Sequence, residues 1–140
     1  MSDKKLVFIG RKEIANLRAF GLANATVKID SGAYTSSIDV YELFRRGDIL
    51  NVRFKKDGDL HSFTSYKTKR IKSSNGAVDE RYIIKGVIEL GGVEYLTEFS
   101  LSDRSGMRSP ILLGRKLLNK NFVIDTSKVN LLSKPVSGHE

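Results

Sequence analysis

The chain has 140 residues, 40% hydrophobic and 29% charged, with a formal charge of +8 and a pI near 9.8. That length supports one domain with a real core and is short for two. The absence of cysteine excludes disulfides, thiolate metal sites and a cysteine nucleophile, and the basic balance favours acidic partners: nucleic acid, anionic membrane or acidic peptide.

In chain order, Leu6–Ile9 reads as a first strand. This apolar run is too short for a signal peptide, and no run approaches the ~20 residues of a bilayer span. A soluble cytoplasmic protein is expected. Glu13–Phe20 fits neither strand nor helix period and is expected as an irregular strand or a helical turn ended by Gly21. Thr26–Ile29 reads as a strand, and Ser36–Val40 as another. Tyr41–Arg46 is expected as a helical turn closed by Gly47. Ile49–Lys55 and Leu60–Tyr66 flank Asp57-Gly58, a hairpin signal. Lys67–Lys72 and Arg81–Lys85 flank Asn75-Gly76, and Val87–Leu90 and Glu94–Leu101 flank Gly91-Gly92. Ile111–Leu113 and Phe122–Ile124 complete the strands, with a helical turn at Arg115–Asn119. Val129–Leu132 is expected as a last edge strand. Many short strands with frequent turns predict an all-β barrel or sandwich. The expected division is a single domain over 1–132 and a flexible tail over 133–140.

Chemistry concentrates in Val27-Lys28-Ile29-Asp30-Ser31-Gly32-Ala33. A strand end gives Asp30 a rigid support from which to accept a proton from water. The Ser31 hydroxyl can brace the loop, and Gly32 lets backbone approach closely. An ordinary Asx turn explains the same three residues without catalysis. A second stretch, Ser109 to Leu118, runs an apolar strand into Gly114-Arg115 and a short helical turn.

Together the two stretches resemble the retropepsins, single-domain aspartic peptidases with an Asp-Thr/Ser-Gly-Ala loop and a late Gly-Arg. Ile9-Gly10-Arg11-Lys12-Glu13, Lys28–Ala33 with Thr35-Ser36-Ser37, Leu101–Arg108, Leu112-Leu113-Gly114-Arg115 and Phe122–Asp125 appear in order. That series resembles the bacterial family labelled "ATP-dependent zinc protease", similar to retropepsins in fold, over roughly Leu6 to Leu132. The resemblance implies a closed, six-stranded-type acid-protease barrel with one short helix.

The residues support neither half of that label. His61 and His139 are the only histidines, and neither lies in a His-Glu-x-x-His pattern, so no zinc site is expected. No phosphate-binding Gly-x-x-x-x-Gly-Lys-Ser/Thr loop exists, and no cofactor is expected. A serine mechanism lacks a placed base. Asp30 remains. One carboxylate cannot readily be both base and acid, whereas two that repel each other can share a proton. No second Asp-Thr/Ser-Gly follows, so the pair is expected from two copies of the chain across a twofold axis.

The resemblance implies Asp30, Ser31 and Gly32 as the catalytic loop, with Gly114 packed behind it. Viral retropepsins carry an aspartate where this chain has Tyr34, so Arg115 is expected to find another partner, Asp125 or Asp103, or to face substrate. A flap is expected over Tyr66–Gly86 with Asn75-Gly76 at its tip. Its Lys67, Lys69 and Arg70, together with Ala33, Tyr34 and Arg115, form the expected substrate surface, with selectivity for acidic peptides. Such a charge run is more often a solvated face. Members of the resembled family accompany ATP-grasp ligases that add glutamates, which suits that substrate by analogy. Two other readings stand beside the homodimeric peptidase. One is a silent acid-protease-fold binding module working with such a ligase. The other, a nucleic-acid-binding barrel, is weakened by 9% aromatics without a stacking ribbon.

Overall fold

Alternation of apolar and polar side chains shapes nearly every element of this chain. In the strand Val93–Ser102, Thr97, Phe99 and Leu101 point inward, with their neighbours between them more exposed. The computed structural model describes residues 5–72, 74–102 and 111–133. Its strands are β1 (Val7–Ile9), β2 (Lys12–Leu17), β3 (Leu22–Ile29), β4 (Ser36–Asp39), β5 (Glu42–Arg46), β6 (Ile49–Arg53), β7 (Leu60–Phe63), β8 (Lys67–Lys72), β9 (Val78–Leu90), β10 (Val93–Ser102), β11 (Ile111–Leu113) and β12 (Phe122–Ile124). A 3-10 turn covers Arg18–Phe20, and one short helix, α1, covers Arg115–Leu118.

Six strands close into a barrel in the order β10-β4-β11-β3-β2-β9, with β9 pairing back to β10. Closure leaves no ladder edge within the ring. The expected acid-protease barrel with one short helix is therefore present. Most of its ladders are antiparallel, but β4–β10 and β3–β11 are parallel. Strand β8 pairs with β9 outside the ring, and β5-β6-β7 form a separate meander. Phe20 joins the two: its ring stacks on Phe54 at 4.5 Å and meets Phe99 of the barrel edge-on at 6.2 Å. Phe99, Ile38, Leu101, Ile111 and Leu113 are almost fully buried at the barrel centre. Each such side chain contributes about 1.5–3 kcal/mol of transfer free energy.

Glycines set two of the hairpins. Gly91-Gly92 turns β9 into β10 with φ of +60° and +84°, values that side-chain-bearing residues resist. Asp57-Gly58 lies in the longer β6–β7 connection, where Gly58 N–H donates to the Lys55 carbonyl.

Three expectations change and one, left between two alternatives, is resolved. Tyr41–Arg46 is not helical: β5 pairs with β6, and Gly47, at φ +58°, starts a hairpin turn instead of ending a helix. Glu13–Phe20 resolves into β2, bulged between Ala15 and Leu17, followed by the 3-10 turn. Arg81–Lys85 and Val87–Leu90 are one strand, because Gly86 sits beneath the Phe20 ring and does not turn the chain. Val129–Leu132 joins no ladder among the described residues. The Leu131 and Leu132 amides donate to the carboxylate of Glu13 at 3.0 Å, which also accepts from Gly10 at 2.7 Å, and Asn130 N–H donates to the Lys12 carbonyl at 2.9 Å. Glu13 is fully buried on the inward face of β2, so three amide donors replace its water. The expected tail falls outside the described residues beyond Ser133.

Candidate active site

Asp30 follows the last residue of β3, and its N–H donates to the Leu113 carbonyl of β11 at 2.9 Å. The parallel β3–β11 ladder thus fixes the backbone from which the carboxylate projects. Gly32 N–H donates to Asp30 Oδ1 at 3.0 Å, and Ala33 N–H to the Asp30 carbonyl at 3.2 Å. This is the Asx turn that the sequence permits. It ties down Oδ1, while Oδ2 accepts no hydrogen bond among the described residues. Asp30 is half-buried, and Ser31 and Gly32 are exposed.

The loop is held from behind. Arg115 N–H donates to the Ala33 carbonyl and Lys116 N–H to the Tyr34 carbonyl, both at 2.8 Å. A Cβ on Gly114 would lie within 3 Å of both carbonyl oxygens, so only glycine fits there without a shift. Gly114 N–H is in turn satisfied by the buried Ser36 hydroxyl at 3.0 Å. Arg115 reaches over the loop: Nη1 donates to the Ser31 carbonyl at 2.9 Å, and the guanidinium lies 5.8 Å from the Tyr34 ring centre. The aromatic face takes the place expected of a carboxylate. Asp125 is not the partner of Arg115. It accepts from the Ser127 hydroxyl and amide instead, and these bonds hold its pKa below the usual carboxylate range. Asp103 lies outside the described residues.

The expected flap is an antiparallel hairpin of β8 and β9, with Lys67 opposite Ile83 and Lys72 opposite Val78. Asn75 Oδ1 accepts from Ala77 N–H at the tip, and Gly76 has φ +89°. Lys69 and Arg70 are exposed, facing Arg81 and Glu80 across the ladder. Lys67 is engaged: it pairs with Glu98 of β10 at 2.8 Å, and Lys116 pairs with the other oxygen of Glu98 at 2.5 Å. Hydrogen bonds from Lys116 and then Lys67 lower the Glu98 pKa to about 2. This cluster ties the flap base to the helix that backs the Asp30 loop. It joins residues 18 and 31 positions apart, and no local motif marks it. His61 packs edge-on against Phe54 at 5.4 Å, and His139 lies outside the described residues. Among the described residues, no three His, Asp or Glu side chains form a group able to hold a metal.

Residues 8–135 match the model of the RimB-like family, described as retropepsin-like aspartic endopeptidase RimB. The chain belongs to that family. The zinc-protease label does not enter this description. A "Probable alpha-L-glutamate ligase" of Shewanella halifaxensis is 33% identical over 91% of this chain. The chain spans only 30% of that protein's length. A protein of the same name from Parasynechococcus marenigrum is 25% identical over 85% of the chain and 28% of its own length. Among solved structures, a Legionella pneumophila protein of unknown function superposes with a TM-score of 0.72, covering 92% of this chain and all of its own, at 22% identity. That likeness shows the fold alone. No helix among the described residues is long and apolar enough to cross a membrane.

Proposed function

We propose that this RimB-like chain is an aspartic endopeptidase whose active site assembles from two copies, each contributing Asp30. The observation that carries the reading is the Asp30 loop: one carboxylate oxygen tied to Gly32, the other open, and the backbone braced by Leu113, Gly114 and Arg115. Two such carboxylates facing each other cannot both ionise cheaply, so they hold one proton between them. The ionised partner takes a proton from water as it attacks the peptide carbonyl. The protonated partner donates to the departing amine. Ser31 and Gly32 hold the loop; Ala33, Tyr34 and Arg115 line the substrate path; and β8–β9 closes over it with Asn75-Gly76 at its tip. The cations Lys67, Lys69 and Arg70 direct the site toward acidic, glutamate-rich peptides. Residues 1–132 act as a single domain working in the cytoplasm.

The test is incubation of the protein with glutamate-rich and glutamine-matched peptides, reading new termini by mass spectrometry. The expected result is endoproteolysis of the acidic peptide, its loss in Asp30→Asn, and indifference to EDTA. Cleavage that EDTA abolishes and zinc restores, or that survives Asp30→Asn, would contradict the reading.

A second reading is favoured by one observation: the relatives named as glutamate ligases contain a match to nearly all of this chain. In it the barrel is a silent module docked on an ATP-grasp ligase. Tight binding to such a ligase, with no cleavage of any peptide by the complex, is its signature.

A further inference from the structure

Two adjoining hollows on the barrel wall, of about 490 and 410 Å³, share Lys67, Lys85 and Glu98. The Ser62–Tyr66 segment lines one end, and Lys116 and Leu96 line the other. The charge within this trough is unbalanced. Lys67 and Lys116 each pair with one oxygen of Glu98, and the Lys85 ammonium makes no hydrogen bond or ion pair among the described residues, although Lys85 lies opposite Glu98 in the β9–β10 ladder. Among the described lining residues, three cations face one carboxylate, an excess of two positive charges. The layering is also ordered. The Glu98 side chain is 13% exposed, whereas those of Lys67 and Lys116 are 67% and 42% exposed. The carboxylate therefore lies at the base and holds two ammonium groups toward solvent. Each ammonium has three N–H donors, of which Glu98 uses one. A merely solvated lysine face has no such buried organiser.

The trough is close to Asp30. Lys116 N–H is bonded to the Tyr34 carbonyl, and Tyr34 lies four positions after Asp30. At ~3.3–3.6 Å per extended residue, Tyr34 is at most about 14 Å from Asp30. Both flap arms contribute, Lys67 from β8 and Lys85 from β9.

We propose that this trough is a subsite for one acidic side chain of a bound peptide, reached along the face that joins the Asp30 loop to Lys116. Its role rests on the peptidase reading above; its anion binding rests on the trough alone. Glu98 fixes the spacing of two ammonium groups, and Lys85 supplies the donor that no protein carboxylate claims.

The experiment measures fluorescence anisotropy of a labelled glutamate-rich peptide on Asp30→Asn protein at low salt. Lys85→Met should weaken binding about fivefold, the upper range for one exposed ion pair. Lys85→Arg should restore it. Glu98→Gln, which raises the local charge, should tighten binding, while a glutamine-matched peptide should respond to neither change. Unchanged affinity in Lys85→Met, or equal losses for both peptides, would overturn the proposal. The Lys85 arm decides it even if Glu98→Gln fails to fold. Protein that binds in this pattern while its native form cuts no peptide would remove the peptidase reading and leave the subsite. A native peptidase indifferent to Lys85→Met would remove the subsite alone.

Discussion

Gly114 and Tyr34 compete for the same space: a Cβ on Gly114 would lie 2.7 Å from the Tyr34 carbonyl oxygen. That oxygen cannot retreat freely, because it accepts from Lys116 N–H at 2.8 Å. Gly114→Ala therefore pushes the whole 31–34 loop. Overpacking of this kind costs about 1–3 kcal/mol. The expected outcome is a folded protein with a lowered denaturation midpoint and a kcat/KM reduced more than stability predicts. Native activity in Gly114→Ala would show that the loop is not positioned from behind.

Arg115 braces the same loop from the solvent side, through the Ser31 carbonyl and the Tyr34 ring. Its removal forfeits one charged hydrogen bond and one exposed cation–π contact, together about 1–3 kcal/mol. Arg115→Met should lower activity at least tenfold with a small change in melting temperature. Arg115→Lys should recover only part, since an ammonium lacks the planar fork. Tyr34→Phe should be silent, because the ring face is retained. A strong loss in Tyr34→Phe would mean that the hydroxyl, not the face, is used.

Glu98 supplies a pH dependence of known sign. Its folded pKa is depressed from 4.5 to about 2 by Lys116 and Lys67. A depressed carboxylate stabilises the fold above its unfolded pKa, and that stability is lost as pH falls through the folded one. Native protein should lose this contribution between about pH 4.5 and pH 2. Glu98→Gln should be less stable at neutral pH, and its urea midpoint should converge with the native value near pH 2. Parallel curves for the two proteins across that window would contradict the assignment.

Glu13 is the buried anchor of the segment around Leu131 and Leu132. Three amides donate to it, and each buried donor left unsatisfied costs about 1–3 kcal/mol. Glu13→Ala should lose at least about 3 kcal/mol by chemical denaturation. A loss under about 1 kcal/mol would show that water replaces the carboxylate.

Turn chemistry made the barrel legible. Asn75-Gly76 and Gly91-Gly92 carry their conformations in their own residues, so the β8–β9 and β9–β10 hairpins could be read directly. The Asp30 turn was legible for the same reason. Glycine alone does not say which role it has: Gly86 accommodates Phe20 within an unbroken strand, and Gly47, at φ +58°, turns a hairpin where a helix end is expected. Val129–Leu132 was expected as an edge strand, but the amides of Leu131 and Leu132 are captured by Glu13, more than a hundred positions away. The retropepsin resemblance implies a carboxylate or substrate for Arg115, whereas the fold brings it a ring and a carbonyl. The Lys67–Glu98–Lys116 cluster needs three separate elements to meet, and sequence spacing carries no trace of that.

The central claim is that one active site needs Asp30 from each of two subunits. The measurement is cleavage rate of a glutamate-rich peptide at fixed native protein, titrated with Asp30→Asn protein and followed by sedimentation. Mixed dimers hold one carboxylate and should be inactive, so activity should fall toward zero as the variant reaches excess, while dimer mass persists. Native activity per chain should also fall on dilution into monomer. Activity that is unaffected by excess Asp30→Asn, or monomers that cleave at full rate, would contradict the shared site.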